Sequence, residues 1–242
     1  RTALVAYDGF VETSKGKVTI PVICLEEEAA QKLEAGKNSV SYKLDRLGIP
    51  LIEIATGTEI KNPEHAKETA SIIGMILRSV EGVKRGLGTI RQDVNVSIVK
   101  GARTEIKGFQ DLRAIPKVIN YEIERQLKEI KPGKKLNREV RKAETDFTTS
   151  FLRPLPGSAR MYPETDIPPV NIDKKHLGKI KLPKLITHKT EELEKKHKIS
   201  KDLAKELIDN DHFETLLKKF NKLESSLIAN AMVNVPKEIK SR

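Results

Sequence analysis

A carboxylate stands in an apolar run where the packing pattern does not call for a charge. Glu53 lies within residues 51–55, on the strand face that it would share with Leu51 and Ala55. A charge in such a run is costly unless a cation or a hydrogen-bond donor meets it. We therefore treat Glu53 as a candidate functional residue.

Three other segments supply hard oxygen ligands of the same kind. Asp93 lies on the polar face of a predicted strand, and Glu105 shares a face with Lys107. Residues 26–28 add three consecutive glutamates. If antiparallel strands align these faces, the carboxylates form one cluster on a concave sheet, which suits Mg²⁺ ions that hold the phosphates of a nucleotide.

Cations in the same segments could neutralise the charge that develops during phosphoryl transfer. The candidates are Arg85, Arg91 and Lys107. A simpler interpretation stays open, because carboxylates on the exposed face of an antiparallel sheet are ordinary. Residues 26–30 could equally begin a solvated helix.

Several familiar kinds of site are missing from the sequence. There is no Gly-x-x-x-x-Gly-Lys loop, and Gly-Leu-Gly-Thr over 86–89 is too short to count as a phosphate loop. The five histidines lack zinc spacing, and the lone Cys24 has no partner for a disulfide. We expect a soluble, cytoplasmic protein, because no apolar run approaches a membrane span and no signal peptide opens the chain.

Positive charge is in excess and unevenly placed. The chain has 45 Lys+Arg against 34 Asp+Glu, and residues 171–242 hold 17 of the cations and 11 of the acids. Clustered cations gain free energy by displacing counterions from phosphates, which favours a polyanionic partner. Surfaces rich in Lys and Glu, without Trp, are also typical of heat-adapted proteins, so both interpretations stand.

Apolar periodicity predicts the elements that position these residues. In chain order they are strands over 3–51, a helix over 62–80, a strand over 90–99 and a helix over 116–130. Turns are predicted at Asp8-Gly9 and over 14–16. Asn62 and Pro63 supply the cap and first position of the first helix.

The rest of the chain divides at a proline-rich stretch. Six prolines in residues 131–170 predict a long functional loop or an interdomain crossing rather than a regular element. Beyond Leu185 the pattern is wholly helical and predicts a small bundle, with Ser200 as a helix cap. The helix over 116–130 is expected to bury one apolar stripe: Val118, Ile119, Ile123, Leu127 and Ile130.

Four strings of residues resemble one protein family. They are Tyr-Lys-Leu-Asp-Arg-Leu-Gly-Ile-Pro-Leu-Ile-Glu-Ile-Ala over 42–55, Arg-Gly-Leu-Gly-Thr-Ile-Arg-Gln-Asp-Val-Asn-Val-Ser over 85–97, Glu-Ile-Lys-Gly over 105–108, and the run 151–166. Together they closely resemble the E-type subunit of the archaeal glutamyl-tRNA(Gln) amidotransferase and, more distantly, the B-type subunit of the bacterial enzyme. The run 151–166 is similar to the E-type in particular.

This resemblance implies a reaction in two steps. ATP, with Mg²⁺, phosphorylates the γ-carboxylate of glutamate esterified to tRNA(Gln), and ammonia then displaces the phosphate to give glutamine. The implied partner is the asparaginase-like D-type subunit that makes the ammonia, in a heterotetramer of two D and two E subunits. The implied fold is α+β: an antiparallel-sheet cradle, related to glutamine synthetase and guanidino kinases, followed by helices that grip tRNA.

The resemblance also assigns roles to the acidic and basic residues. Glu53, Glu105 and Lys107 are the candidate catalytic residues, and Arg91, Asp93 and Lys107 are the candidate nucleotide contacts. The implied metal ligands are Glu26, Glu27, Glu53, Asp93 and Glu105. The segment 162–166 is expected either to close over the substrate or to be a rigid strap between domains.

The expected domains are a catalytic cradle over 1–172 and a helical tRNA-binding domain over 173–242. Relative to the family pattern we expect the first part of the cradle, an inserted domain near 128–147 and the tail domain to be missing. Two rivals stand beside this interpretation. One is a B-type subunit served by a glutamine-hydrolysing amidase, and the other is a catalytically inactive tRNA-binding adaptor.

Overall fold

The computed structural model describes residues 2–86, 88–109, 111–130, 135–155, 170–208 and 210–241. The chain divides into two compact units. The first comprises Arg1–Ile73 and Gly86–Ile172, and the second comprises Gly74–Arg85 and Asp173–Arg242. Mostly antiparallel sheets occur together with helices, which agrees with the predicted α+β class.

The secondary structure elements have the following bounds. The strands are β1 (Thr2–Thr13), β2 (Gly16–Glu27), β3 (Gln31–Ala35), β4 (Val40–Lys43), β5 (Pro50–Ala55), β6 (Val94–Val96), β7 (Thr104–Lys107), β8 (Glu139–Ala143) and β9 (Thr149–Pro154). The helices are α1 (Pro63–Ser79), α2 (Ala114–Ile130), α3 (Lys174–Leu177), α4 (Ile186–His197), α5 (Lys201–Leu207), α6 (His212–Lys219) and α7 (Ser225–Ser241).

The first sheet is antiparallel and has the strand order β1-β2-β5. The predicted turn over 14–16 is confirmed, with Gly16 at a φ of 102°. The predicted turn at Asp8-Gly9 is wrong, because β1 continues through it. Asp8 lies in the left-handed region at a φ of 58°, which a short polar side chain tolerates. Residues 26–30 do not begin a helix, since β2 extends to Glu27.

Helix α1 begins as its sequence predicts. The side-chain oxygen of Asn62 accepts a hydrogen bond from the backbone N–H of His65 at 2.9 Å, and Pro63 is the first helical residue. One face of the sheet packs against this helix, because Ile23 and Ile54 join the same apolar cluster as Ile72.

A second sheet has the strand order β6-β7-β8-β9. Its strands β7 and β8 are parallel, so this sheet is mixed rather than antiparallel throughout. Both β8 and β9 lie in the stretch that was predicted to be a loop or crossing, which shows that prolines at its ends do not prevent a hairpin between them. The predicted strand over 90–99 shortens to β6, and Asp93 immediately precedes it.

Helix α2 covers this second sheet with a face that is partly polar. Ile115, Val118 and Ile119 are buried as an apolar stripe requires, and they join Ile106 of β7 in one cluster. Leu127 was expected on that stripe but is exposed. Glu122 and Gln126 are fully buried, at helical spacing from the apolar residues. The buried face therefore differs from the predicted one.

The second unit contains the five helices α3 to α7 and the end of α1. Its apolar cluster centres on Leu207, Phe213 and Ala229. The predicted cap is confirmed, since the Ser200 side chain accepts a hydrogen bond from the backbone N–H of Leu203. Among the described residues, no helix combines the length and the apolar character that a membrane span needs.

Candidate functional site

One face of the first sheet carries two of the predicted carboxylates, Glu26 and Glu53. Cys24 of β2 is the register partner of Glu53 on β5, and Glu26 is the partner of Leu51. Directly opposed residues in an antiparallel pair share a face, so Glu26 and Glu53 lie on the same side. The local reason is the alternation in both strands: Ile23 and Ile54 face the core, and their neighbours must face away.

Two of these carboxyl groups are in direct contact. A hydrogen bond with Glu26 raises the pKa of Glu53 above its ordinary value, and partial burial and the negative charges of Glu26 and Asp93 raise it further. The positive charge of Lys107 acts in the opposite direction. Glu53 therefore keeps its proton to a higher pH than an isolated glutamate does.

Lys107 stands between two carboxylates of the second sheet. Its Nζ lies 2.5 Å from Asp93 Oδ2 and 2.6 Å from Glu105 Oε1. Burial alone would lower the pKa of Lys107, but its hydrogen bonds to both carboxylates outweigh burial and raise it. The ammonium group therefore stays charged. Asp93 and Lys107 both act electrostatically on Glu53, so this group lies near the Glu26–Glu53 pair.

Arg91 belongs to an ion pair that the sequence did not predict. Its guanidinium donates to Glu28 Oε2 at 3.1 Å, and Arg46 donates to the same oxygen at 3.0 Å. Backbone bonds hold Glu28 in place, since its N–H donates to Ile49 O and its carbonyl accepts from the N–H of Gly48. Both arginines are about half exposed, so each keeps donors for a further anion.

Other predicted residues are not brought to this group. Glu27 is exposed, and strand alternation places it on the face opposite to Glu26. Arg85 donates to the backbone carbonyl of Arg78 in the second unit. The segment 162–166, which was expected to close over the substrate or to form a strap, lies outside the described residues.

The described side chains do not form a ready-made metal centre. Across the ranges that the structure describes, no group of three or more His, Cys, Asp or Glu side chains has the arrangement to hold a metal ion. The five predicted ligands do not form one cluster. Glu26 is hydrogen-bonded to Glu53, and Lys107 lies between Asp93 and Glu105. Glu27 lies on the opposite face of β2.

Sequence reasoning missed two residues here. Arg46 meets Glu28, one of the glutamates of the run 26–28, because β2 and β5 pair, and the separation of the two residues along the chain gives no sign of it. The half-buried Cys24 faces the site as the register partner of Glu53. A useful signal would have been the position of Cys24, two residues before Glu26 and thus on the same strand face.

Comparisons with known proteins bear on what this arrangement is. A family model described as the GatB/GatE catalytic domain matches residues 2–178, which is most of the chain. The chain belongs to this family. The match includes all of the carboxylates and cations that the structure brings together.

Several curated relatives are archaeal proteins. The chain is 33% identical to the E-type subunit of glutamyl-tRNA(Gln) amidotransferase from Methanosarcina barkeri over 378 residues, which covers 99% of this chain and 60% of that protein. The E-type subunit from Methanocaldococcus jannaschii is 34% identical over 380 residues, and that from Archaeoglobus fulgidus 32% over 368. Both again cover 99% of the chain and 60% of the relative.

The matched region thus spans about 60% of the length of these relatives. The matched stretch of 378 residues is also longer than the 242 residues of this chain. The relatives therefore contain residues within that stretch that have no counterpart here.

Proposed function

We propose that this chain catalyses the ATP-dependent amidation of glutamate carried by tRNA(Gln). The observation that carries the proposal is the position of Lys107, an ammonium group held between Asp93 and Glu105 beside the crowded pair of Glu26 and Glu53. Such a group is suited to stabilise charge on a phosphate in transfer. The proposal is also supported by the family and by the names of the relatives, which are amidotransferase subunits of the E type.

The proposed chemistry has two steps. An oxygen of the glutamate γ-carboxylate attacks the terminal phosphorus of ATP, and the bond from that phosphorus to the ADP oxygen breaks. Ammonia then attacks the acyl carbon, phosphate leaves with the bonding electrons, and nitrogen loses a proton to give the amide. The first step is needed because a carboxylate is a poor electrophile until one of its oxygens becomes part of a leaving group.

The chain's own residues have distinct parts in this scheme. Lys107 contacts the transferred phosphoryl group, and its carboxylate partners hold the ammonium in one place. Arg91 and Arg46 bind phosphate oxygens with the donors that Glu28 leaves free. Glu28 orients both guanidinium groups before a ligand arrives. This preorganisation favours the transition state because no reorientation is then needed during reaction.

The donor set also fits Mg²⁺ by its chemistry. Carboxylate oxygens are the ligands that this ion prefers, and the hydrogen bond from Glu26, burial and the charges of Glu26 and Asp93 that raise the pKa of Glu53 reflect how close these acids lie. Glu26, Glu53 and Asp93, with Glu105, are the residues that would hold the ion. When bound, Mg²⁺ would offset the charge of the ATP phosphates as they approach these carboxylates.

We infer further that the chain acts in the cytoplasm with an asparaginase-like D-type subunit as its ammonia source, in an assembly of two D and two E subunits. The relatives, which are named as E-type subunits, support this over a B-type subunit with an amidase partner. Co-purification with an amidase would favour the B-type alternative. The inactive adaptor is less well supported, because Glu53, Asp93, Glu105 and Lys107 form one charged group.

The proposal is tested by ADP formation. The full-length protein and its partner subunit are supplied with ATP, Mg²⁺ and glutamyl-tRNA(Gln). We expect Asp93→Ala to abolish ADP formation. The matched control is Asp146→Ala, at an exposed turn where the carboxylate bonds only locally to Thr148, and it should keep the wild-type rate. Full activity in Asp93→Ala would refute the assigned site.

A further inference from the structure

Helix α2 buries two polar side chains that take no part in the site described above. Glu122 and Gln126 both have 0% of their surface exposed. Burying a charge and an amide is costly unless hydrogen bonds replace the lost water. The hydrogen-bond partners of Glu122 and Gln126 therefore show which elements these two side chains connect.

The carboxylate of Glu122 is fully hydrogen-bonded. Arg125 donates to both of its oxygens, at 2.9 and 2.7 Å, and Gln126 Nε2 donates to Oε1 at 2.9 Å. Thr149 of β9 donates to Oε2 at 3.1 Å. Burial would raise the pKa of Glu122, but the bonds from Arg125 and Gln126 outweigh it and lower the pKa, so the group is an anion.

The same network ties α2 to β8 and β9 of the second sheet. Arg125 also donates to Glu139 of β8 at 2.9 Å, and Arg141 of β8 donates to that same oxygen at 2.9 Å. Arg141 donates further to the hydroxyl and carbonyl oxygens of Thr149, both at 2.7 Å. Helix α2, β8 and β9 are thus joined through buried charges rather than through apolar contact alone.

On its other side the network reaches β7, the strand that carries Glu105 and Lys107. Gln126 Nε2 donates to Thr104 Oγ1 at 3.0 Å, and the Thr104 hydroxyl also bonds to Glu122. The Gln126 side-chain oxygen accepts from the backbone N–H of Ala102 at 3.2 Å. The Gln126 side-chain amide therefore bonds both to Thr104, the first residue of β7, and to Ala102, in the segment before it.

Alternation along β7 connects this inner face to the site. Thr104 and Ile106 are buried towards α2, at 1% and 0% exposure, while Glu105 and Lys107 alternate with them and face the other way. The strand has four residues and pairs with three residues of β6 on one side and four of β8 on the other. A slip of one residue would turn Glu105 and Lys107 away from the site, and the buried contacts of Thr104 with α2 oppose such a slip.

We infer that Glu122, Gln126 and Thr104 are positioning residues: their buried contacts fix the register of β7 and thereby hold Glu105 and Lys107 where the reaction needs them. None of the three touches the reacting groups in this scheme. The inference rests on the proposed function for its kinetic consequence, while the structural part concerns β7 alone.

The test uses a minimal change at the contact with β7. Thr104→Val removes the hydroxyl and keeps the branched shape, and Thr104→Ser keeps the hydroxyl. Thr69→Val is the matched control: Thr69 is also 1% exposed, but its hydroxyl bonds within α1 to the carbonyl of His65. The readouts are kcat and KM for glutamyl-tRNA(Gln) in the full-length protein with its partner subunit, and the thermal midpoint of each variant.

We expect Thr104→Val to lower kcat about tenfold or more with KM unchanged, because a small misplacement of reacting groups lowers the rate without loss of binding. Thr104→Ser should restore most of kcat. Thr69→Val should lower the thermal midpoint by a similar amount and keep kcat. Equal kcat in Thr104→Val and the wild type would overturn the inference, as would an equal loss of kcat in Thr69→Val.

Hydrogen exchange separates this inference from the proposed function. The amides of Glu105 and Lys107 should exchange faster in Thr104→Val than in the wild type, and at the wild-type rate in Thr104→Ser. Unchanged exchange in Thr104→Val would overturn the structural part. A wild-type protein that forms no ADP would instead refute the proposed function, and exchange would still decide whether the network holds β7.

Discussion

Glu53 and Glu26 lie on neighbouring strands with their carboxyl groups hydrogen-bonded to each other, although both would carry negative charge in water at neutral pH. The contact places two like charges together, and it is maintained only where a proton or a cation offsets them. The pair is therefore a position at which a proton or an added cation is favoured.

The first prediction concerns the pH dependence of stability without divalent cations. Because the folded-state pKa of Glu53 is raised, the folded protein binds more protons than the unfolded chain as pH rises from the ordinary value of 4.5 through the raised one. The free energy of unfolding therefore falls across that window. We expect Glu53→Gln to remove this fall and to raise the thermal midpoint at pH 8 by about 1–3 °C.

Thermal unfolding at pH 4 and pH 8 checks this prediction. Glu124→Gln, at an exposed position of α2, is the matched control and should change neither midpoint. Added Mg²⁺ should stabilise the wild type at pH 8 and should stabilise Glu53→Gln less. A lower midpoint for Glu53→Gln at pH 8 would contradict the assignment.

The second prediction concerns Lys107. Replacing it with alanine should slow phosphorylation by about 100-fold or more, because a preorganised cation at the phosphoryl group is lost. Affinity for tRNA should change little, since Lys107 pairs with two carboxylates and is proposed to contact the phosphoryl group. Single-turnover ADP formation and a tRNA-binding titration separate the two effects. Lys117→Ala, on the exposed side of α2, should leave both unchanged. Equal losses in rate and affinity in Lys107→Ala would disprove this role.

The third prediction concerns tRNA affinity and the second unit. Lys195, Lys218 and Lys219 are candidate phosphate contacts, and replacing them with glutamine should weaken binding at low salt. The slope of log affinity against log salt should fall by about 0.7–0.9 for each lysine that contacts a phosphate. We expect a smaller effect from Lys196, because its Nζ lies 2.6 Å from Glu214 Oε1. Lys184→Gln, at a lysine paired with Glu192, is the control. An unchanged slope in the triple variant would exclude these lysines.

The fourth prediction concerns Gly101, in the segment that precedes β7. A methyl group at this position would overlap the Gln126 side-chain oxygen and a side-chain carbon of Ile98. Gly101→Ala should therefore destabilise the fold by about 1–3 kcal/mol, the usual range for overpacking. Urea unfolding measures it, with Gly82→Ser as a comparison at a glycine that has open space but a positive φ. Wild-type stability in Gly101→Ala would show that Gln126 is free to move.

Part of this architecture follows from local sequence pattern. The apolar alternation around Glu53 predicts a strand with a charged face, and Asn62 with Pro63 predicts the start of α1; both are observed. Both features could be predicted because strand alternation and helix capping depend on residues that are close together in the sequence.

The features that sequence pattern did not reveal depend on contacts between distant segments. The parallel pairing of β7 with β8 joins residues on either side of α2, and no spacing along the chain encodes it. Residues 74–85 belong to the second unit, although they continue from a helix that starts in the first. The burial of Glu122 is another example, because a glutamate at a core position of a helix is recognisable only when its partners on other strands are known.

The claim that Lys107 and the surrounding carboxylates serve an acyl-phosphate reaction is tested most directly by oxygen transfer. Glutamyl-tRNA(Gln) whose γ-carboxylate carries ¹⁸O is converted by the full-length protein and its partner with ATP, Mg²⁺ and an ammonia source, and the inorganic phosphate is analysed by mass. The account predicts one ¹⁸O atom in the phosphate for every amide formed, and no labelled phosphate from Asp93→Ala. Amide formation by the wild type with unlabelled phosphate would contradict it.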